Sequence, residues 1–289
     1  MGRLIVNADD FGLTSGVNRA IFELHSAGVL LSCTLMARAP ASEEAIELAR
    51  STPTLRVGCH LVLVDGDPVL PPQYIPTLID RRTGRFQPTL GTFLRRLFAG
   101  RIRPAEIEAE AAAQIHFLQN KGISLTHIDT HKHLHMFSPV LWPVLRAARA
   151  ARIHAIRNPF EPEWSLKATP EAPRVRRGEV RLLRGLAPEF HRLVNQAGIA
   201  TTDGAIGVSA TGTLDRVNLT SLLRNLPEGV WELVTHPGYN DADLARARTR
   251  LLASRETELN ALRGLQTVPN IELISFADLV AQQGVNNRN

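Results

Sequence analysis

The chain has 289 residues, 44% hydrophobic and 21% charged, the balance of an ordinary folded globular protein, which sets disorder aside. Its net charge of +5 and pI near 9.8 invite nucleic acid, but base-stacking aromatics are few and no basic run has the form of a nucleic-acid motif. Of the 33 basic residues only Lys121, Lys132 and Lys167 are lysines, a general preference for arginine rather than a surface built for polyanions. Cys33 and Cys59 lie in apolar runs and make neither a disulfide framework nor a CxxC pair, so both read as buried thiols. The N-terminus enters a strand almost at once and no apolar stretch approaches the length of a membrane span, so cytoplasmic residence is expected.

Short apolar runs alternate with helical patterns along the whole chain. Leu4 to Val6 reads as a buried strand, and Gly16 to Ala27 as a helix with Val17, Ala20, Ile21 and Leu24 on one face. Leu31 to Met36 is a second strand. A helix follows from about Ser42 to Arg50, with Ser42 at its N-cap and Glu43 and Glu44 in the first turn, where the helix dipole favours negative charge. Further strands are expected at Arg56 to Leu63, Leu125 to Asp129, Ile153 to Ile156, Ala205 to Val208, Val230 to Thr235 and Ile271 to Ile274. Strand and helix in alternation imply a parallel sheet. No GxGxxG follows the first strand, so the dinucleotide-binding open sheet loses its main support. The expected fold is α/β, an irregular or incomplete TIM-like (β/α) barrel forming a single domain over residues 1–281, with a polar tail at 282–289.

Two proline-rich stretches, Val64 to Gly91 and Asn158 to about Arg177, interrupt the alternation. Both follow strands, where barrel enzymes build the walls of their sites. The segment from Arg174 to Leu186 mixes arginines with apolar residues; it suits either a solvated helix face or an anionic membrane surface.

Four of the ten histidines crowd into Thr126-His127-Ile128-Asp129-Thr130-His131-Lys132-His133-Leu134-His135. Imidazoles beside a carboxylate are what a divalent metal needs, although solvated histidines also cluster by chance. The first strand ends in Asn7-Ala8-Asp9-Asp10-Phe11-Gly12. Neighbours on an extended chain point in opposite directions, so the two carboxylates suit different tasks, one ligating metal while the other holds a proton; a helix cap is the plain alternative. His60, inside the apolar run Gly58 to Leu63, and His236, in Thr235-His236-Pro237-Gly238-Tyr239, each read alone as a hydrogen-bonded core histidine or as a ligand. Taken together, Asp9, Asp10, His60, His131 and His236 all fall at or just past the carboxyl ends of separate strands. Those ends converge on one face of a parallel barrel. One shared site accounts for all five residues.

The NADDFG strand end, the GxHLxL segment, the HxDxHxHxH cluster and the late THPG resemble the YdjC family of carbohydrate deacetylases over nearly the whole chain. The run from Val64 to Pro72 with Ile75-Pro76 is similar to the hopanoid-biosynthesis-associated branch, whereas His127-Ile128-Asp129-Thr130 is nearer the general family form. The resemblance implies an irregular barrel, one divalent metal ion, and hydrolysis of the N-acetyl group of an acetylated amino sugar that is free, oligomeric or lipid-linked. By motif position Asp10, His60 and His131 would be the metal ligands, Asp9 the general base and His236 the general acid. His133, His135 and Asp129 would support the ligands or touch substrate, with a purely structural role weighed equally for His133 and His135. Arg157 would hold Asp9 or the substrate. Homodimerisation is implied on the same ground, and peripheral membrane contact if the sugar rides on a lipid.

Three imidazole and carboxylate ligands leave coordination positions open for water and the acetyl oxygen; imidazole favours zinc, cobalt, nickel or manganese over magnesium, while the carboxylate admits either class, and zinc is the first choice. Phe11, Tyr74, Phe137, Phe160, Trp164 and Tyr239 are candidate platforms for a sugar ring. The nearest rival is a metal-dependent phosphoesterase, which would more naturally hold two metals and a larger ligand set. A silent sugar-binding protein with the same fold is the other.

Overall fold

In the computed structural model, which describes residues 2–247, 249–265 and 271–286, the first strand is the axis of the molecule. β1 (Gly2–Phe11) is buried along almost its whole length, as expected of a parallel strand covered on both faces. It extends well past the apolar run Leu4 to Val6, and the polar residues Asn7, Asp9 and Asp10 are buried as well. After it come α1 (Ser15–Ser26), β2 (Ser32–Leu35), α2 (Ser42–Ser51) and β3 (Arg56–Leu61). A hairpin of β4 (Ile79–Asp80) and β5 (Arg85–Phe86) precedes α3 (Leu90–Phe98), α4 (Pro104–Asn120) and β6 (Ile128–Thr130). The chain continues through α5 (Ser138–Ala150), α6 (Glu163–Ala168), α7 (Arg174–Leu183), α8 (Ala187–Ala197), β7 (Gly204–Ile206) and α9 (Arg216–Arg224). It closes with β8 (Gly229–Thr235), α10 (Ala242–Arg246), α11 (Ala253–Arg263), β9 (Ile271–Leu273) and α12 (Phe276–Asn286).

The main sheet is parallel, in the order β6-β3-β2-β1-β8-β7. β9 pairs with Gly2–Leu4 at the edge of β1 where β2 pairs with the later residues. Between β6 and β7 the circuit continues only through isolated bridges, Ile128 with Ile156 and Ala155 with Ala200. The strand expected at Ile153 to Ile156 is therefore reduced to those contacts; Pro159, without an N–H, cannot extend a ladder. The result is the irregular, incomplete barrel that the alternation implies, with helices packed outside it.

The proline-rich stretches hold more structure than their composition suggests. Prolines deny the segment after β3 many of its own hydrogen bonds, and α4 replaces them from one face. Gln114 bridges the N–H and carbonyl of Val62 at 3.0 and 2.7 Å. Glu110 accepts from the amides of Val69 and Leu70 at 2.8 and 3.0 Å, and Glu106 from that of Thr77 at 2.7 Å. Every buried amide must find a partner, and these three acceptors supply them. In the second stretch α6 and the start of α7 replace the expected loop. α7 buries none of its residues; Val175 and Leu182 are 76% and 82% exposed. α12 runs on through Gln282 to Asn286, where the sequence suggests a tail, and residues 287–289 lie outside the described residues. Among the described residues, no helix is long and apolar enough to cross a membrane.

Candidate active site

The end of β1 sets the geometry. Asn7 and Ala8 pair with Ser32 and Cys33, but the next partners are Phe11 and Leu35, so one extra residue is accommodated between them. Asp10 takes up the irregularity with a left-handed backbone, φ 63°, a conformation that aspartate tolerates better than most side chains. Asp9 and Asp10 thus serve two different sets of partners.

Asp10 faces His60 and His131. Its Oδ1 lies 3.4 Å from His60 Nε2 and 3.4 Å from His131 Nδ1, and the two imidazole nitrogens are 3.2 Å apart. Donors bound to one zinc-sized ion at 2.0–2.2 Å stand about 3–3.5 Å from each other. The three atoms have that spacing, and Asp10 Oδ1 is buried without a hydrogen-bond partner. His60 Nδ1 donates to Asp129 Oδ1 at 2.8 Å, which leaves the Nε2 lone pair for the pocket, the arrangement by which a carboxylate orients a ligating histidine. Burial depresses the His131 imidazole below its ordinary value, keeping it neutral and able to ligate. Burial acts the same way on His60, but Asp129 and Asp10 outweigh it and push that imidazole up to about 10. A proton and a divalent ion therefore compete for His60. The donor set fits a single divalent metal.

Behind this trio lies a buried ion cluster centred on Arg157, which is fully buried. Its guanidinium donates to Asp9 Oδ2 at 2.7 Å and Asp9 Oδ1 at 2.6 Å, to Glu232 Oε1 from Nε at 2.8 Å, and to Asp129 Oδ2. Burial raises the Asp9 carboxyl, but the Arg157 charge more than offsets it, so Asp9 stays below the usual carboxylate range and ionised. Asp129 is held low by the same cation and by His60. Glu232 fares differently: burial outweighs its share of Arg157 and pushes it up to about 7.

His236, just past β8, completes the rim. Its Nε2 is 3.7 Å from Asp9 Oδ2 and its Nδ1 is 3.9 Å from Glu258 Oε2. The same Glu258 oxygen accepts the His236 backbone N–H at 2.6 Å. The structure thus gathers Asp9, Asp10, His60, His131 and His236 into one place, with Asp129 and Arg157 directly behind.

The remaining candidates divide. His133 follows Lys132 in a second consecutive left-handed position; its Nδ1 is buried without a partner, and burial with the nearby Arg157 holds it well below the usual imidazole range. His135 is wholly interior, with Nδ1 on Thr130 Oγ1 at 2.8 Å and Nε2 on the Arg157 carbonyl at 3.2 Å. It fixes the backbone of Arg157 and offers nothing to a substrate. Phe11 is likewise corrected from a candidate sugar contact to a core residue, since it is fully buried. Phe160 is buried too. Tyr239 has its ring covered by Arg19 at 3.9 Å and its hydroxyl bonded to Glu23 at 2.7 Å, so that ring face is not free for a sugar.

Residues given no role from the sequence also shape the site. Arg255 donates to Asp10 Oδ2 at 2.6 Å. Asn7 donates to Asp9 Oδ1 at 3.0 Å and accepts from His127 Nε2 at 3.1 Å. Glu232 carried a signal, a lone carboxylate between Trp231 and Leu233 in an apolar strand. Arg255 and Glu258 carried one as well, since with Leu259 and Leu262 they form an i, i+3, i+4, i+7 stripe, the buried face of α11.

A family profile described as YdjC-like protein matches residues 3–268. A carbohydrate deacetylase of Brevibacillus brevis is 32% identical over 283 residues, covering 96% of this chain and 99% of that protein. A carbohydrate deacetylase of Listeria monocytogenes is 32% identical over 287 residues, covering 96% and 100%. Among solved structures, one from Enterococcus faecalis described as a candidate cellobiose-phosphate cleavage protein superposes with a TM-score of 0.76 at 27% identity, covering 96% of this chain and 98% of that one.

Proposed function

Because the chain belongs to the YdjC-like family, we propose that it is a carbohydrate deacetylase, removing the N-acetyl group of an acetylated amino sugar and releasing acetate. The observation that supports this most is the convergence of Asp10 Oδ1, His60 Nε2 and His131 Nδ1 within 3.4 Å of one another, with Asp9 and His236 alongside, 3.7 Å apart. An acetamide is a poor electrophile with a poor leaving group, so its hydrolysis needs an activated water, a stabilised oxyanion and a protonated amine. A divalent ion held by Asp10, His60 and His131, with zinc the first choice, supplies when bound an acidified water and positive charge beside the acetyl oxygen. Asp9, kept ionised by Arg157, takes the proton of the attacking water. His236, 3.7 Å from Asp9, gives a proton to the departing nitrogen, and Glu258 holds its backbone in place.

The phosphoesterase reading needs room for a second metal. Among the described residues, the other grouping of suitable donors is Asp9, His60 and Asp129, and the guanidinium of Arg157 already occupies the Asp9 and Asp129 carboxylates. One ion therefore suits the site better than two.

Acetate release from N-acetylglucosamine, short chitooligosaccharides and an N-acetylglucosaminyl lipid tests the reading, with a chelated sample and His131→Ala as controls. Release that disappears on chelation and returns with zinc is the expected result. Release from the lipid alone favours the hopanoid-type substrate, and release from the oligosaccharides discards it. Silence on every substrate with metal bound overturns the deacetylase. The exposed apolar residues and arginines of α7 suit a lipid-borne substrate; a protein that stays in solution with anionic vesicles removes that refinement.

A further inference from the structure

We propose that Arg255 confines Asp10 to a single donor oxygen and so determines which divalent ions the site prefers. The inference rests on the metal-site reading above and concerns a residue outside every sequence motif. Arg255 is fully buried on α11. Its NH2 donates to Asp10 Oδ2 at 2.6 Å, its Nε to the Leu251 carbonyl at 3.1 Å, and its NH1 is buried without a partner. With Oδ2 engaged, only Oδ1 faces His60 and His131, each 3.4 Å away.

The turn after β8 keeps the guanidinium where it is. Gly238 donates its N–H to the Arg255 carbonyl at 3.4 Å. A Cβ at position 238 would lie 3.0 Å from Arg255 Cδ and 3.0 Å from Val17 Cγ2. The glycine of the THPG motif thus leaves the volume that Arg255 fills. One turn further along α11, Glu258 accepts the His236 amide, so a single helix face holds both Asp10 and His236.

A carboxylate can bind a metal through one oxygen or both. Oxygen-seeking ions larger than zinc that take six or more ligands have room for the two-oxygen mode, whereas four-coordinate zinc takes one oxygen at full strength. A charge-assisted bond of 2.6 Å to Oδ2 makes the two-oxygen mode costly. The charge of Arg255 repels every divalent ion alike, so it cancels in a ratio of affinities. A merely structural role would also leave that ratio unchanged.

The test is titration of the metal-free protein with zinc and with manganese separately, together with the visible absorption of the cobalt-loaded protein. In R255M the ratio of zinc to manganese affinity is expected to fall about tenfold or more, the scale on which partners of ligands act. The cobalt bands should weaken as the second Asp10 oxygen enters. Gly238→Ala, which displaces the guanidinium without removing its charge, should move both readouts in the same direction by less. It decides the matter if R255M does not fold. A wild-type ratio and spectrum in the folded variants overturn the inference. His131→Ala separates this failure from failure of the site itself: zinc affinity unchanged by that substitution would mean that the metal lies elsewhere.

Discussion

Most groups that face the candidate site sit in motifs the sequence displays, whereas three of the charges that hold them do not. Asp9, Asp10, His60 and His131 all lie before α5, packed into short motifs at strand ends. Glu232, Arg255 and Glu258 lie after β7, dispersed in a strand and a helix whose other residues are ordinary core. The difference is physical. A ligand or proton carrier must project from a strand end into a pocket, which forces a histidine or aspartate into a conspicuous position. A supporting charge needs only one buried contact, and any strand or helix that packs behind the site can provide it.

The sharpest way to break this division is at Asp9, the one carboxylate proposed to act on the water. Asp9→Asn removes the proton acceptor while leaving Asp10, His60 and His131 untouched. We expect kcat to fall by about 10²–10⁴ with zinc affinity close to wild type. Zinc titration and acetate release on one preparation measure both. Full activity with metal bound would mean that Asp9 is a supporting group like Glu232.

The second test concerns Glu232 itself. It is pushed up to about 7 from an ordinary value of 4.5, chiefly by burial. Folding therefore favours its protonated form, so its contribution is complete below pH 4.5 and is lost as pH climbs through 7. The loss is about 3 kcal/mol. Glu232→Gln has no such proton to lose. The stability of that variant relative to wild type, from urea unfolding, should rise by about that amount between pH 4.5 and pH 8. Parallel pH curves would show that Arg157 keeps Glu232 ionised as it does Asp9.

The same division explains how far the sequence could be read. The strands that hold the ligands are legible as apolar runs, and the converging strand ends follow from the parallel topology. The segment at Ile153 to Ile156 looks like another strand because its composition is apolar, but pairing is a property of neighbours and only two bridges form there. Arg255 and Glu258 sit in a clear helical stripe, yet charged residues on a helix are usually solvated, so the stripe is easily taken as polar. Their burial follows from Asp10 and His236, which lie far away in sequence. The structure of the proline-rich loop after β3 is hidden for the same reason, because its acceptors come from α4.

The smallest expected effect lies at Gly58, where support reaches the site at two removes. A Cβ there would come within 2.6–2.7 Å of ring atoms of His127. That ring is stacked on Phe276 at 3.9 Å and cannot simply retreat. Burial depresses the His127 imidazole to about 3, so the ring is neutral and its Nε2–H is committed to Asn7, which in turn donates to Asp9. Gly58→Ala should therefore cost about 1–3 kcal/mol by overpacking, read from the melting temperature, and lower kcat by less than Asp9→Asn does. A destabilised variant with wild-type kcat would confine the line from His127 through Asn7 to holding the barrel together. A fall in both would show that the orientation of Asp9 depends on packing beneath the sheet as well as on the charge of Arg157.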